Sequence, residues 1–162
     1  MKIPKALMRL AASEILCLFI DITFAASGSM LIKLICLFCT VTLMISVLAD
    51  FSIKAAKEDM KASDGKSIKS SEIFAAGAAV SLPLLVSWII LYISANGGSF
   101  DFYRWHKLLN APFLQFYNII NSGIHSSELN GAELAAMAVP VVFPALAVII
   151  PYMAVCKRHS DR

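Results

Sequence analysis

The chain has 162 residues, of which 59% are hydrophobic and only 15% charged, with a formal net charge of +3. At a mean hydropathy of +0.75 it carries far more apolar surface than a soluble domain of this length could bury, so lipid is its natural solvent. The small net charge, with basic residues flanking apolar runs instead of forming a stripe, excludes nucleic acid as a partner. Cys17, Cys36, Cys39 and Cys156 lie in or at the end of such runs, which excludes a secreted disulfide framework.

The first run, residues 6–27 (ALMRLAASEILCLFIDITFAAS), is long enough to cross a bilayer and contains Glu14 and Asp21. A carboxylate near mid-bilayer costs about 2.5 to 3.5 kcal/mol on insertion scales, so these two require partners, protonation or a watery cavity. Lys2 and Lys5 precede the run and Arg9 lies in its first turn, and together they keep that end in the cytoplasm. A cleaved signal peptide is the competing reading, given the small residues Ala25, Ala26 and Ser27, but acids in the apolar centre oppose it.

The second run, residues 29–49, follows after little more than Ser27 and Gly28, which predicts antiparallel neighbours. Equal distances from that link predict an Asp21 to Lys33 ion pair near the outer interface, and Lys33, Cys36 and Thr40 recur at helical spacing as a mildly polar face. Residues 50–71 form a lysine-rich cytoplasmic loop. Phe51 to Ala62 can continue as a helix, with Lys54 and Glu58 four apart, before Ser63, Asp64 and Gly65 turn the chain.

The third run, residues 72–94, has Ser71 as N-cap and Glu72 at the positive helix end. Ala75 with Ala79, and Gly77 with Ser81, form two small-xxx-small pairs that admit close helix approach, and Pro83 bends the helix. Residues 95–131 are too polar to span and too aromatic to float free. They predict two short helices broken near Pro112, lying on the outer membrane surface or capping the helices, with Arg104, Trp105, His106 and Lys107 as interfacial lipid contacts. The last run, residues 132–156, carries Pro140, Pro144 and Pro151 on one stripe with Glu133. Prolines free carbonyls that hydrocarbon cannot satisfy, so this face should look inward. Lys157, Arg158 and Arg162 mark a cytoplasmic C-terminus.

These signals predict an all-α integral membrane protein of the cytoplasmic membrane, with the whole chain, residues 1–162, as one transmembrane domain. It is an antiparallel bundle of four transmembrane helices with an interfacial aromatic helical segment between the third and fourth. The candidate intramembrane polar site comprises Glu14, Asp21, Lys33, Thr40, Glu133, Pro140 and Pro144. Four spans with a glutamate in the first resemble the small multidrug transporters, but those are shorter with tight loops, and the resemblance brings no function across. The C-L-F-C of Cys36 and Cys39 lacks the second outward thiol pair a membrane thiol oxidoreductase needs. No phosphate loop, HExxH or GxSxG is present, and the sequence implies no cofactor and no metal. The first functional reading is a non-catalytic accessory or assembly subunit, surrounded by membrane lipids and associated with itself or a larger membrane protein. The alternative is a proton- or cation-coupled transporter or lipid-handling protein using Glu14, which would then share a cavity with the proline face.

Overall fold

In the computed structural model, which describes residues 2–24, 29–63 and 71–160, the ordered elements are all helical. They are α1 (Lys2–Phe24), α2 (Met30–Ser63), α3 (Ser71–Ala95), α4 (Tyr103–Leu109), α5 (Leu114–Ile120), α6 (Gly131–Ala136) and α7 (Phe143–Ser160), with 3-10 turns at Ala111–Phe113, Ser126–Glu128 and Val139–Val142. Among the described residues, three helical stretches are long and apolar enough to cross a membrane: Met30–Lys61, Ser71–Ala95 and Gly131–Arg158. The protein is thus a helical membrane protein. The expected link at Ser27 and Gly28, the turn at Asp64 and Gly65, and Arg162 lie outside the described residues.

α1 packs on α2 and α3, and α7 packs on the opposite sides of the same two helices. Small and apolar side chains let them approach: Ala6, Leu10, Met44, Leu48, Ile73, Ala76, Val80 and Val148 form one buried core. One of the two small-residue pairs on α3 serves this packing. Gly77 is buried where Ile149 of α7 crosses, so closely that a Cβ there would sit 2.9 Å from Ile149 Cδ1, and Ser81 Oγ accepts the N–H of Ala145 at 3.2 Å. The other pair, Ala75 and Ala79, faces away from α7, with Ala75 exposed.

α2 has 34 residues, about 51 Å of helix, well beyond the roughly 30 Å of a hydrocarbon core. The continuation of helix through Phe51 to Ala62 is as the sequence allows, the helix running to Ser63, but this part is packed and not only solvated: Phe51, Ser52, Ala55 and Ala56 are buried. Ser52 Oγ donates to Val148 O, which fixes this extension to α7. Charges close the same end. Lys2 pairs with Asp59 and lies 3.7 Å from Glu72, and the Tyr152 hydroxyl donates to Asp59 at 2.6 Å, joining α1, α2, α3 and α7.

The last run is interrupted at its prolines. α6 starts with a capping box, in which Asn130 accepts the Glu133 N–H at 2.9 Å and Glu133 Oε2 accepts the Asn130 N–H at 2.8 Å. It ends after six residues; Pro140 opens the following tight turn, and α7 restarts at Phe143. Pro140 and Pro144 are buried and Pro151 half-buried, so the proline face looks inward as its freed carbonyls require.

The close α3–α7 crossing predicts a graded response at Gly77. Ile149 Cδ1 can swing aside for a methyl, so Gly77→Ala should be nearly neutral, whereas Gly77→Leu should cost about 1 to 3 kcal/mol by overpacking. Thermal unfolding in detergent reads this, with exposed Ala75→Leu as the control; an unchanged midpoint for Gly77→Leu would contradict the packing.

Candidate functional site

The aromatic segment between α3 and α6 is the element that organises the polar groups. Gly97, at φ 102°, ends α3 in the left-handed conformation, and the Gly98 N–H reaches back to Ile93 O at 3.1 Å. The chain then turns down alongside α3. Phe102 and Tyr103 are held near Ser94 through the hydroxyl of Ser126, and four residues on His106 lies 2.9 Å from Ser87 Oγ, seven residues further down α3. α4 and α5 form a helical hairpin folded in among the long helices, with its tip at residues 110–113. The two short helices and the break near Pro112 are as the sequence predicts. Their position is a correction: His106 is 1% exposed and Lys107 8%, so neither lies at a lipid headgroup surface.

A tip of irregular backbone placed among helices needs its polar groups satisfied locally. The N–H of Ala111 donates to Glu14 Oε2 at 2.9 Å. Pro112 has no N–H to satisfy, and its carbonyl lies 2.9 Å from the Thr40 hydroxyl of α2. The Asn110 side-chain amide donates to His106 O at 2.6 Å, replacing the partner that the end of α4 removes, and also reaches Ser87 Oγ at 3.0 Å. On the returning arm, Gln115 Nε2 donates to Asp21 Oδ1 at 3.0 Å. The two acids of α1 thus have an internal partner in common: Glu14 holds the tip of the hairpin and Asp21 its second helix.

The expected Asp21 to Lys33 pair does not form. Cys36 donates to Asp21 Oδ1 at 3.2 Å and Cys17 donates to Thr40 O at 3.3 Å, which sets α1 against α2 so that residue numbers facing one another sum to 57. Lys33 then faces Phe24, about 4.5 Å of rise beyond Asp21 toward the end of α1. Glu133 is likewise elsewhere, capping α6 and accepting from Asn121 Nδ2 at 3.2 Å. Arg104 and Trp105 remain on the outward face of α4, with Trp105 61% exposed. Lys107 points back: its Nζ donates to Asn121 O at 3.1 Å and Gly123 O at 2.9 Å and lies 4.1 Å from the Tyr103 ring centroid. Burial pulls its ammonium down to about 8.

At the hairpin's base Asp101 gathers the donors. Its Oδ1 accepts the N–H and hydroxyl of Ser126 at 2.9 and 2.8 Å, and Oδ2 lies 2.6 Å from His125 Nδ1. Burial works to raise this carboxyl, but the Ser126, His125 and Tyr103 hydrogen bonds outweigh it and hold it at about 2.

Two grooves flank the hairpin. One, of about 450 Å³, is bounded by Leu34, Phe38 and Val41 of α2, by Phe113 at the tip, and by Pro140 and Phe143 at the proline break. The Phe113 and Phe143 rings, 5.8 Å apart, bring the two interrupted elements together at its wall. The other, of about 470 Å³, lies between α1, α3 and α4 and includes Leu10, Glu14, Pro83 and Leu108. Glu14 and the proline face therefore line different grooves, with the hairpin between them. Sequence reasoning missed Ser87, Asn110, Pro112 and Gln115 as members of the polar centre; a polar residue on each side of the Pro112 break was the available signal. Comparison of the chain with known protein families, curated proteins and solved structures finds no match.

Because Glu14 acts through an acceptor oxygen, Glu14→Gln should keep the tip in place. Glu14→Leu strands a buried N–H and should cost about 1 to 3 kcal/mol. Hydrogen exchange at Ala111 separates these outcomes, and equal protection in both variants would remove Glu14 as the holder of the tip. Asp101, with a carboxyl lowered from 3.8 to about 2, stabilises the folded base above its unfolded value and loses that contribution as pH falls through about 2. Trp105 fluorescence should report loosening across that window in the native chain and none in Asp101→Asn.

Proposed function

We propose that the chain is a four-span integral membrane protein of the cytoplasmic membrane with both ends inside, and that it is a non-catalytic, lipid-handling protein that holds an apolar chain in the groove beside Phe113. α1 supplies the fourth crossing. Its 23 residues give about 34 Å of helix, sufficient for the hydrocarbon core, and its two acids meet donors from the hairpin instead of lipid. With Lys2, Lys5 and Arg9 at one end of α1, the α2 extension and the end of α7 on the same side, and the hairpin opposite, positive charge collects on the cytoplasmic face. The hairpin is then re-entrant, entering and leaving from the outer side.

The observation that carries the lipid reading is where the two breaks in helical structure meet. Helix interruptions at membrane depth are costly unless they serve a cavity. Here the tip and the proline break converge on a groove whose walls are aliphatic and aromatic, which suits a methylene chain and offers little to a polar solute. Coupled transport through Glu14 has less support, because its Oε2 is engaged with the Ala111 N–H. Assembly with itself or with a larger membrane protein stands as a second reading, favoured by the Ala75 and Ala79 pair that α7 leaves uncovered.

Reporters active only outside the cell, fused after Gly98 and after Gly65, should read outside and inside respectively; activity at Gly65 would overturn the topology. For the groove, Val139→Trp adds bulk from a half-exposed position at its rim. It should lower lipid retained through purification about tenfold with unchanged thermal stability, whereas undiminished lipid would refute the groove as its seat. Ala75→Leu should leave lipid unchanged and, under the second reading, break a crosslinked assembly.

A further inference from the structure

We propose that the groove between α1, α3 and α4 binds an uncharged lipid by its free hydroxyl, which hydrogen-bonds the carboxyl of Glu14; this rests on α1 crossing the membrane, as proposed above. The groove shares no wall residue with the one beside Phe113. Apart from Glu14 its side chains are all aliphatic, among them Leu10 and Leu18 of α1 and Leu108 and Leu109 of α4.

The fold leaves two polar atoms over at this site. Of the Glu14 carboxyl only Oε2 is used, by the Ala111 N–H at 2.9 Å, and no hydrogen bond to Oε1 forms among the described residues. Unlike the enclosed Asp21 Oδ2, this oxygen is not shut in: Glu14 is half-buried and forms part of the groove wall. The second atom is a carbonyl oxygen. Pro83 stands exposed in the same wall and has no N–H to give to Ala79 O one turn earlier, so that carbonyl lacks its regular helical donor. Both atoms call for a polar group that the groove's own aliphatic side chains do not supply.

Position decides what can reach them. Glu14 lies at the middle of α1 and Pro83 at the middle of α3, which for crossing helices puts both near the centre of the hydrocarbon. A phosphate or ammonium headgroup would have to leave water for that depth, the cost that makes charged groups rare there. A hydroxyl loses far less on the same transfer. It also serves Glu14 in either protonation state, because it donates to a carboxylate and accepts from a carboxylic acid. The hydrocarbon chains of such a lipid lie against the leucines of the wall.

The test uses the full chain purified in a neutral detergent and read by native mass spectrometry. It is titrated with didecanoylglycerol or with the didecanoyl ester of propylene glycol, which differs only in lacking the hydroxyl. Wild type should bind the alcohol about fivefold more tightly, the worth of one hydrogen bond. Ala11→Phe, which adds a ring to the wall from an exposed position one turn before Glu14, should abolish that preference, and Val139→Trp, in the other groove, should leave it. The infrared band of the Glu14 carboxyl, identified as the one missing from Glu14→Gln, should shift with the alcohol and not with the deoxy lipid. Equal binding of the two lipids, or an unshifted band, overturns the inference. A preference lost in Val139→Trp and kept in Ala11→Phe places the hydroxyl beside Phe113, which overturns the inference and leaves the lipid reading intact. A band shifted by dodecylamine and not by the alcohol marks a cation site and overturns it as well. The premise has its own test with a membrane-impermeant thiol reagent applied outside the cell: labelling of Lys5→Cys would show that α1 does not cross as proposed and would remove the inference with it. Should Ala11→Phe fail to fold, the band shift in the wild type decides.

Discussion

The structure depends on one backbone amide, the N–H of Ala111, being placed among packed helices with no turn of its own to satisfy it. Glu14 accepts that hydrogen, and the remaining architecture follows from the tip being held there. With the tip fixed, α4 lies along α3 and α5 lies along α2, the outer half of the molecule is filled, and a groove is left on each side. An acceptor oxygen is suited to this task because a buried amide N–H left without a partner costs about 1 to 3 kcal/mol.

The two ends of the molecule solve the same packing problem differently. At the end where α1 begins, the long helices touch directly through Ala6, Ala56, Ala76 and Gly77, and charged groups such as Lys2 and Asp59 close the packing. Toward the opposite end they are held apart by the hairpin, and the contacts are mixed: aromatic rings such as Tyr103 and Tyr117 beside hydrogen bonds involving Thr40, Ser87 and Gln115. The polar half is the less completely satisfied one. Asp21 Oδ2, His106 Nε2 and Asn110 Oδ1 are buried without a hydrogen-bond partner among the described residues, and all three belong to the hairpin or to the face of α1 that holds it. Such groups cost stability.

Much of this was legible in the residues, in a form that needed geometry to complete it. Glu14 and Asp21, seven apart, do share a face and do have partners, but those partners lie 97 and 94 positions away, beyond what periodicity in either segment can connect. The inward proline face followed from the chemistry of freed carbonyls, and the close α3–α7 approach from Gly77 and Ser81. The Lys33 pair failed because it assumed equal depth on either side of a short link, whereas the Cys17 and Cys36 hydrogen bonds set a register shifted by one turn. The aromatic segment misled for another reason. Its exposed side, with Arg104 and Trp105, has the composition of a surface anchor, while His106, Asn110 and Gln115, which reveal its insertion, look unexceptional until a buried partner stands opposite.

The hairpin also bears on the order in which the chain can fold. Each of its helices has seven residues, about 10 Å, too short to cross the bilayer, and together they carry polar groups at His106, Asn110 and Gln115 that lipid alone would reject. The long helices are apolar enough to enter lipid on their own, whereas this segment is not. The hairpin therefore enters only once α1, α2 and α3 stand together and present Glu14, Asp21, Thr40 and Ser87 as a ready-made polar seam. Until it docks, the acids of α1 and the hydroxyls of Thr40 and Ser87 lack the partners that the hairpin brings.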